Sequence, residues 1–128
     1  MRISQVSERT GFSVDTLRYY ERIGLIPSIH RNESGIRDYQ EFDIKRIKFI
    51  KCMRRAGIPI EALIEYLGLV EQGDSTIDVR KKILIKQRDR ISTKIEEMQE
   101  TLDLLNHKID VYEKALLKAE KELIALDV

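Results

Sequence analysis

The C-terminal third of the chain carries a series of residues at alternating spacings of four and three, from Leu84 to Leu126, in which only Arg88 is polar. This period predicts one long helix with an apolar seam of the kind that forms coiled coils. Because one helix cannot bury its own seam, the pattern predicts that a second chain, or a fold-back of the helix near Lys118, covers it. The predicted interface positions are Ile91, Ile95, Met98, Leu102, Leu105, Ile109 and Tyr112.

The N-terminal region contains shorter helical patterns that are separated by residues typical of helix ends. Ser4 is expected to precede a first helix, Gly11 can adopt a positive φ at its C-terminus, and Ser13 can cap a second helix. These positions together predict a helix-turn-helix.

The second of these helices has one inward stripe, formed by Val14, Leu17 and Glu21. The other two stripes are predicted to be free for phosphate and base contacts. A surface arginine and two adjacent tyrosines on a short helix are typical of a surface that binds nucleic acid. The free stripes consist of Asp15, Arg18 and Arg22 and of Thr16, Tyr19 and Tyr20.

A polar turn over residues 32–35 separates two short segments, 29–31 and 36–38. The turn predicts a β-hairpin wing. Arg31 and Arg37 flank it and would lie along adjacent phosphates of a duplex. A solvated loop with incidental arginines is the alternative when the turn is considered alone.

A third helix is predicted from Glu41 to about Ala56, and a fourth from Ile60 to about Val70. Pro59 suits the first turn of the fourth helix. The turn over residues 54–57 would form a second wing. The predicted inward residues are Phe42, Phe49, Ile50, Met53 and Ala56 on the third helix and Leu63, Ile64 and Leu67 on the fourth.

The predicted fold class is mainly α, with a winged helix-turn-helix head, a small β-hairpin wing and a long dimerising coiled-coil helix. The predicted boundaries are a DNA-binding domain over residues 1–71, a hinge over 72–76 and an antiparallel coiled-coil dimerisation helix over 77–128. The antiparallel direction comes only from the family resemblance described below.

The formal net charge of +1 favours no particular partner, but the charge is unevenly distributed. Residues 1–58 carry 12 basic and 7 acidic side chains, whereas residues 59–128 carry 11 and 15. A basic head is expected if the head meets DNA phosphates. No apolar run approaches the roughly 20 residues of a membrane-spanning helix, and no signal region is evident, so the protein is expected in the cytoplasm.

Three sequence runs resemble the DNA-binding head of the MerR family of bacterial transcription regulators. They are Thr-Leu-Arg-Tyr-Tyr-Glu over 16–21, Gly-Leu-Ile-Pro over 24–27 and Gly-Ile-Arg-Asp-Tyr over 35–39. The resemblance implies a homodimer on double-stranded promoter DNA, which distorts the promoter so that RNA polymerase engages it. The implied DNA contacts are Ser13, Thr16, Arg18, Tyr19, Tyr20, Arg22, Arg31, Arg37, Tyr39 and Arg55.

Cys52 is the single cysteine, so the chain forms no intramolecular disulfide and no paired-cysteine metal site. Lys48 and Arg55 lie on the same side of the predicted third helix and would favour its thiolate. A buried cysteine that only fills space is the alternative. The chain is similar to the NmlR/AdhR-type subgroup, which implies that Cys52 senses aldehyde or thiol stress.

The sequence contains no catalytic constellation and predicts no metal site and no cofactor, so an enzyme is not expected. Two alternatives to a signal-responsive regulator remain. The first is an effector-independent architectural or excisionase-like DNA-binding protein. The second is a protein-interaction coiled coil with a vestigial head, which would lack a salt-dependent affinity for DNA.

Overall fold

The computed structural model describes the backbone of residues 1–126 and the side chains of residues 1–124. Within this range the chain is mainly α-helical, as predicted. It forms two compact units, one of residues Met1–Gln87, here called the head unit, and one that begins at Arg88. The helices are α1 (Ile3–Thr10), α2 (Val14–Arg22), α3 (Glu41–Arg55), α4 (Ile60–Gln72) and α5 (Ile77–Leu126), with a short 3-10 helix at Asp74–Thr76.

The helix-turn-helix is formed by α1 and α2, and hydrogen bonds at the helix ends define its turn. Gly11 has φ 81°, and its N–H donates to the Ser7 carbonyl oxygen at 2.9 Å. Ser13 Oγ accepts from the Thr16 N–H at 3.1 Å, which confirms the predicted cap. The expectation that Ser4 precedes α1 is wrong, because the helix begins at Ile3.

The core of the head unit is formed where α1 packs against α2 and α3. Leu17, Ile47 and Ile50 have no exposed surface. Burial of such side chains stabilises the head by about 1.5–3 kcal/mol each relative to the exposed state. The buried apolar residues are Val6, Leu17, Tyr20, Leu25, Ile26, Ile29, Tyr39, Ile44, Ile47, Ile50, Ile58, Leu63 and Leu67.

The face of α3 that packs inward differs from the predicted one, and the first turn of the helix shows why. Asp43 Oδ2 accepts from the Gln40 N–H at 2.8 Å, so the buried Asp43 side chain caps the start of the helix. The stripe that contains Ile47 and Ile50 then faces the core. Phe42 lies outside this stripe and is 67% exposed, so its predicted place in the core is wrong.

The wing is a tight turn with one antiparallel bridge, between Arg31 and Arg37. The Asn32 N–H donates to the Ile36 carbonyl oxygen at 2.8 Å, and the Asp38 N–H donates to that of His30 at 2.7 Å. The Asn32 side chain accepts from the Ile36 N–H at 3.0 Å. The polar turn and the antiparallel pairing are present as predicted. Among the described residues, however, the pairing is limited to this single bridge, and no β-strand is formed.

The segment predicted as a hinge contains the end of α4 and the 3-10 helix. Gly73 has φ 91°, which a residue with a side chain rarely adopts. The Thr76 hydroxyl lies 2.7 Å from the Leu69 carbonyl oxygen and 2.8 Å from that of Gly73, so its one hydrogen is shared between them. These hydrogen bonds hold the 3-10 helix against the last turns of α4.

The long helix α5 has 50 residues. Its predicted seam is exposed to solvent along the part that belongs to the second unit, with Ile95 63% and Met98 73% exposed. The predicted segment 77–128 ends in residues 127–128, which lie outside the described residues. The helices in the described range include none with enough uninterrupted apolar length to cross a membrane.

Candidate DNA-binding surface

Helix α2 presents a polar and aromatic surface to solvent. Arg18 and Arg22 are exposed, and Tyr19 is 42% exposed. The Arg22 guanidinium carbon lies 5.5 Å from the centroid of the Tyr19 ring, which is within the range of a cation–π interaction. The Arg18 guanidinium lies 3.9 Å from the exposed Asp15 carboxylate, a loose pair that leaves the cation available to a ligand.

The N-terminal end of α2 carries two hydroxyl groups. The Ser13 hydroxyl donates to Thr16 Oγ1 at 2.8 Å. Ser13 is exposed and Thr16 is half-buried. Backbone N–H groups at a helix N-terminus and nearby hydroxyls are suitable partners for a phosphate.

Tyr20 and Tyr39 are buried, which corrects the prediction that they belong to the DNA-facing surface. The Tyr20 ring is 7% exposed and packs edge-on against Phe12 at 5.5 Å. It lies three residues after Leu17, so a nine-residue helix packed on α1 turns both side chains inward.

Tyr39 is 2% exposed. Its hydroxyl is buried without a hydrogen-bond partner among the described residues. Burial raises the pKa of this hydroxyl above its ordinary value of 10.0, and the nearby Glu21 carboxylate adds to the effect.

Glu21 connects α2 to the wing. Its carboxylate accepts from Arg37 Nε at 3.2 and 3.3 Å and from the Ile29 N–H at 3.2 Å. The Glu21 and Arg37 side chains are only 15% and 21% exposed. The Arg37 guanidinium is thus paired within the head, and the phosphate contact expected of Arg37 stays a prediction.

Four arginines line one groove of about 300 Å³ between the start of α1, α2 and the wing. We call it the arginine groove. Arg31 is exposed and donates to the Gly35 carbonyl oxygen at 2.8 Å, which fixes its direction along the wing. Among the described residues, two of these arginines pair with carboxylates, Arg37 closely with Glu21 and Arg18 loosely with Asp15. The groove is lined by Arg2, Ile3, Ser4, Arg18, Arg31, Gly35, Ile36 and Arg37.

Arg2 is a member of this groove that the sequence reasoning missed. It occupies the position just before α1, where its backbone N–H donates to Gln5 Oε1 at 2.9 Å. A basic residue close to the start of a predicted helix was the available signal. Its significance depends on the wing folding back beside α1, which no local pattern shows.

A second cationic cleft of about 210 Å³ lies between the end of α1 and α3. We call it the Cys52 cleft. Cys52 is exposed, so the alternative of a buried, space-filling cysteine is excluded. Two residues that were predicted to have separate roles, Cys52 as a sensor and Arg55 as a DNA contact, therefore line the same cleft. It is lined by Arg9, Thr10, Lys48, Lys51, Cys52 and Arg55.

The predicted interface residues lie along α5. Ile91 is half-buried, and the six others between Ile95 and Tyr112 are 49–73% exposed. A contiguous apolar strip of this kind marks an interaction surface. Among the residues that the structure describes, no group of three His, Cys, Asp or Glu side chains is arranged to hold a metal ion.

Two family models match the chain and together cover most of it. Residues 1–69 match the MerR HTH family regulatory protein model, and residues 44–108 match the model described as MerR, DNA binding. The first match contains the arginine groove and the Cys52 cleft. The second extends from α3 into α5.

The chain is similar to curated proteins and to solved structures of this family. It is 58% identical over 91 residues to the HTH-type transcriptional regulator AdhR of Bacillus subtilis, a match that spans 71% of this chain and 65% of that relative. A MerR family transcriptional regulator from Listeria monocytogenes superimposes with a TM-score of 0.93 at 50% identity, covering 100% of this chain and 97% of the other. HiNmlR, a MerR family regulator lacking the sensor domain and bound to promoter DNA, superimposes with a TM-score of 0.80 at 29% identity, covering 89% and 90%.

Proposed function

The chain belongs to the MerR family of helix-turn-helix transcription regulators, and we propose that two copies bind promoter DNA together and respond to a signal at Cys52. The family consists of transcription regulators rather than enzymes. In this proposal the dimer changes the shape of the promoter, and RNA polymerase responds to the DNA rather than to the protein.

The arginine groove is the observation that carries the DNA-binding part of the proposal. Arg2, Arg18 and Arg31 converge there from three elements, beside the exposed Tyr19 and Arg22 of α2. Arginines on a wing and at a helix start position a protein on phosphates, whereas side chains of a helix in the major groove read base edges. HiNmlR, whose fold is similar, is bound to promoter DNA in its crystal structure.

The exposed seam of α5 supports a homodimer. Leu102, Leu105 and Ile109 are 49%, 54% and 55% exposed in the single chain. A second copy offers the same heptad pattern, so two seams cover each other with knobs-into-holes packing. An inverted repeat in the DNA would then match the two-fold symmetry of the protein.

The exposure of Cys52 within a cationic cleft supports the signal part of the proposal. An aldehyde or a thiol oxidant reaches an exposed sulfur without any opening of the head core. Sulfur adducts at this position change the surface of α3 and not its buried side, which carries Ile44, Ile47 and Ile50.

The DNA-binding proposal is tested with sites selected from random DNA duplexes. We expect Arg18→Ala and Tyr19→Ala each to lower the affinity for the selected site by about tenfold to a hundredfold, equivalent to roughly 1–3 kcal/mol, with an unchanged oligomeric state. Fluorescence anisotropy measures the affinity, and sedimentation measures the state. Wild-type affinity in both variants would show that α2 does not enter the major groove.

The signal proposal is tested by a promoter reporter in cells that carry wild-type protein or Cys52→Ser. We expect the variant to bind the selected DNA normally and to lose induction by an aldehyde or thiol oxidant. Equal induction in both strains would eliminate Cys52 as the input. Absence of induction in either strain by any thiol-reactive compound would favour an effector-independent architectural protein.

A further inference from the structure

We propose that the Cys52 cleft holds a phosphate of the DNA backbone, so that Cys52 lies beside a bound phosphate. This inference rests on the proposed function and extends it. It makes the cleft a second anchor on the duplex, separate from the arginine groove. It also makes charge at Cys52 a direct determinant of DNA affinity.

The charges around the cleft fit an anion. Arg9 comes from the end of α1, and Lys48, Lys51 and Arg55 come from α3. Of these four cations, Arg9 forms an ion pair among the described residues, at 3.3 Å from the exposed Glu41 carboxylate. Lys48 and Arg55 form no ion pair with any residue in the described part of the chain. The cleft therefore retains an excess of positive charge for a ligand.

Lys51 fixes one wall of the cleft. Its ammonium donates to the Thr10 carbonyl oxygen at 2.5 Å. A Cβ atom at Gly11 would lie 2.6 Å from Lys51 Nζ, so the turn of the helix-turn-helix passes directly over this lysine. The cleft of about 210 Å³ is thus built against the turn. It has room for several water molecules of roughly 30 Å³ each, which a phosphate group would displace.

The two cationic sites lie at opposite ends of α1. Arg2 precedes the helix and lines the arginine groove, whereas Arg9 is in its last turn and lines the Cys52 cleft. Seven residues of helix span about 10 Å, which is close to the width of the major groove, about 12 Å. With α2 in the groove, one site would face the phosphates of one strand and the second site those of the other strand.

The role of the cleft predicts a difference between two adducts of similar size at Cys52. Alkylation by iodoacetate forms a bond between Sγ and the reagent's methylene carbon, releases iodide and gives the thiol proton to solvent. The product carries a carboxylate. Iodoacetamide reacts in the same way and leaves a neutral amide. Only the carboxylate repels a phosphate in the cleft.

The first test removes the cations that have no partner. We expect the double variant Lys48→Gln, Arg55→Gln to bind the selected duplex about tenfold more weakly and to flatten the salt dependence by about 0.9 for one phosphate contact. The control is Lys114→Gln, Lys121→Gln, which removes two charges from exposed positions on α5. An unchanged salt slope in the cleft variant overturns the inference. Circular dichroism checks that both variants are folded.

The second test alkylates wild-type protein at its single cysteine. We expect the carboxymethylated protein to bind the selected duplex about tenfold more weakly than the carbamidomethylated protein, with the difference shrinking as salt is raised. Equal affinities of the two adducts, whether high or low, overturn the inference. Specific binding by the unmodified protein distinguishes this failure from a failure of the proposed function, which would abolish specific binding before any modification.

Discussion

The head unit and the second unit contain apolar residues with the same helical periodicity but opposite exposure. In the head unit, Leu17 and Ile47 are fully buried. In the second unit, Ile95 and Leu116 are 63% and 62% exposed although they occupy equally regular positions. The difference shows that periodicity predicts which side of a helix is apolar. It does not predict whether the same chain or another chain covers that side.

The two units are therefore expected to respond differently to dilution. The head core is formed within one chain, so its free energy of unfolding does not depend on protein concentration. The seam of α5 is completed by a second copy in our proposal. Its contribution to stability then follows mass action and weakens as the protein is diluted.

The largest expected effect comes from charges in the seam. In the double variant Leu102→Asp, Leu105→Asp, each unpaired carboxylate would cost about 3–5 kcal/mol if buried in a dimer. We expect a monomer by analytical ultracentrifugation, together with lost DNA binding. The matched control is Leu104→Asp, Val111→Asp, which changes residues that are 57% and 47% exposed but lie off the strip. A dimeric seam variant would place the interface elsewhere.

A truncation in the head core is expected to have the next largest effect. Ile47→Ala should lower the free energy of unfolding by about 2–5 kcal/mol, because it leaves a cavity between α1 and α3. The loss should be the same at high and low protein concentration in urea unfolding. Phe42→Ala is the control, since that ring is 67% exposed and its removal should change stability by only about 0.5 kcal/mol. A similar loss in both variants would contradict the described orientation of α3.

A smaller effect is expected where α2 meets the wing. Glu21→Ala removes the acceptor of the Ile29 N–H and of Arg37, at a cost of about 1–3 kcal/mol. Faster hydrogen exchange of the Ile29 amide would locate the loss in the wing. In contrast, Asp15→Ala removes only the exposed partner of Arg18 and should leave stability nearly unchanged. Unaltered exchange at Ile29 would show that the wing is held by other contacts.

The smallest expected effect is a gain. Tyr39→Phe removes a buried hydroxyl that has no partner among the described residues, so stability should be unchanged or rise by up to about 1 kcal/mol. Because burial raises the pKa of Tyr39 above 10.0, the unfolded chain loses this proton first as pH rises. The wild-type protein should therefore lose stability above pH 10.0 through this group, and the variant should not. A loss of DNA affinity in Tyr39→Phe would indicate that the Tyr39 hydroxyl contacts DNA despite its burial.

Features fixed by neighbouring residues could be predicted from the sequence. The positive φ of Gly11 and the Ser13 cap depend on a few adjacent positions, and both were predicted. The exposure of Tyr20 and Tyr39 could not be predicted, because it depends on where α1 and the wing pack. An aromatic side chain at such a position can pack in a protein core or contact a DNA base, and periodicity alone does not distinguish these two roles.

The candidate site could be predicted only in part, because the sequence near each residue does not show how distant segments pack together. Arg18 and Arg31 were identified because each belongs to a local motif and is exposed. Neither the place of Arg2 in the groove nor the pairing of Arg37 with Glu21 was predicted, since both depend on the fold of the wing against α1 and α2. Long-range juxtaposition, and not the identity of any single residue, determines which cations remain available.

Helix α3 carries its core-packing residues and its cleft residues on different sides, so the cleft can change without altering the core. Ile44, Ile47 and Ile50 hold the head together from one side, while Lys48, Cys52 and Arg55 line the Cys52 cleft on another. Cys52 lies away from the buried side of α3, so new input chemistry can be introduced at position 52 while Lys48 and Arg55 keep their proposed role in DNA binding. A library limited to codon 52 would search for regulators with new inducers while the buried side of α3 stays unchanged.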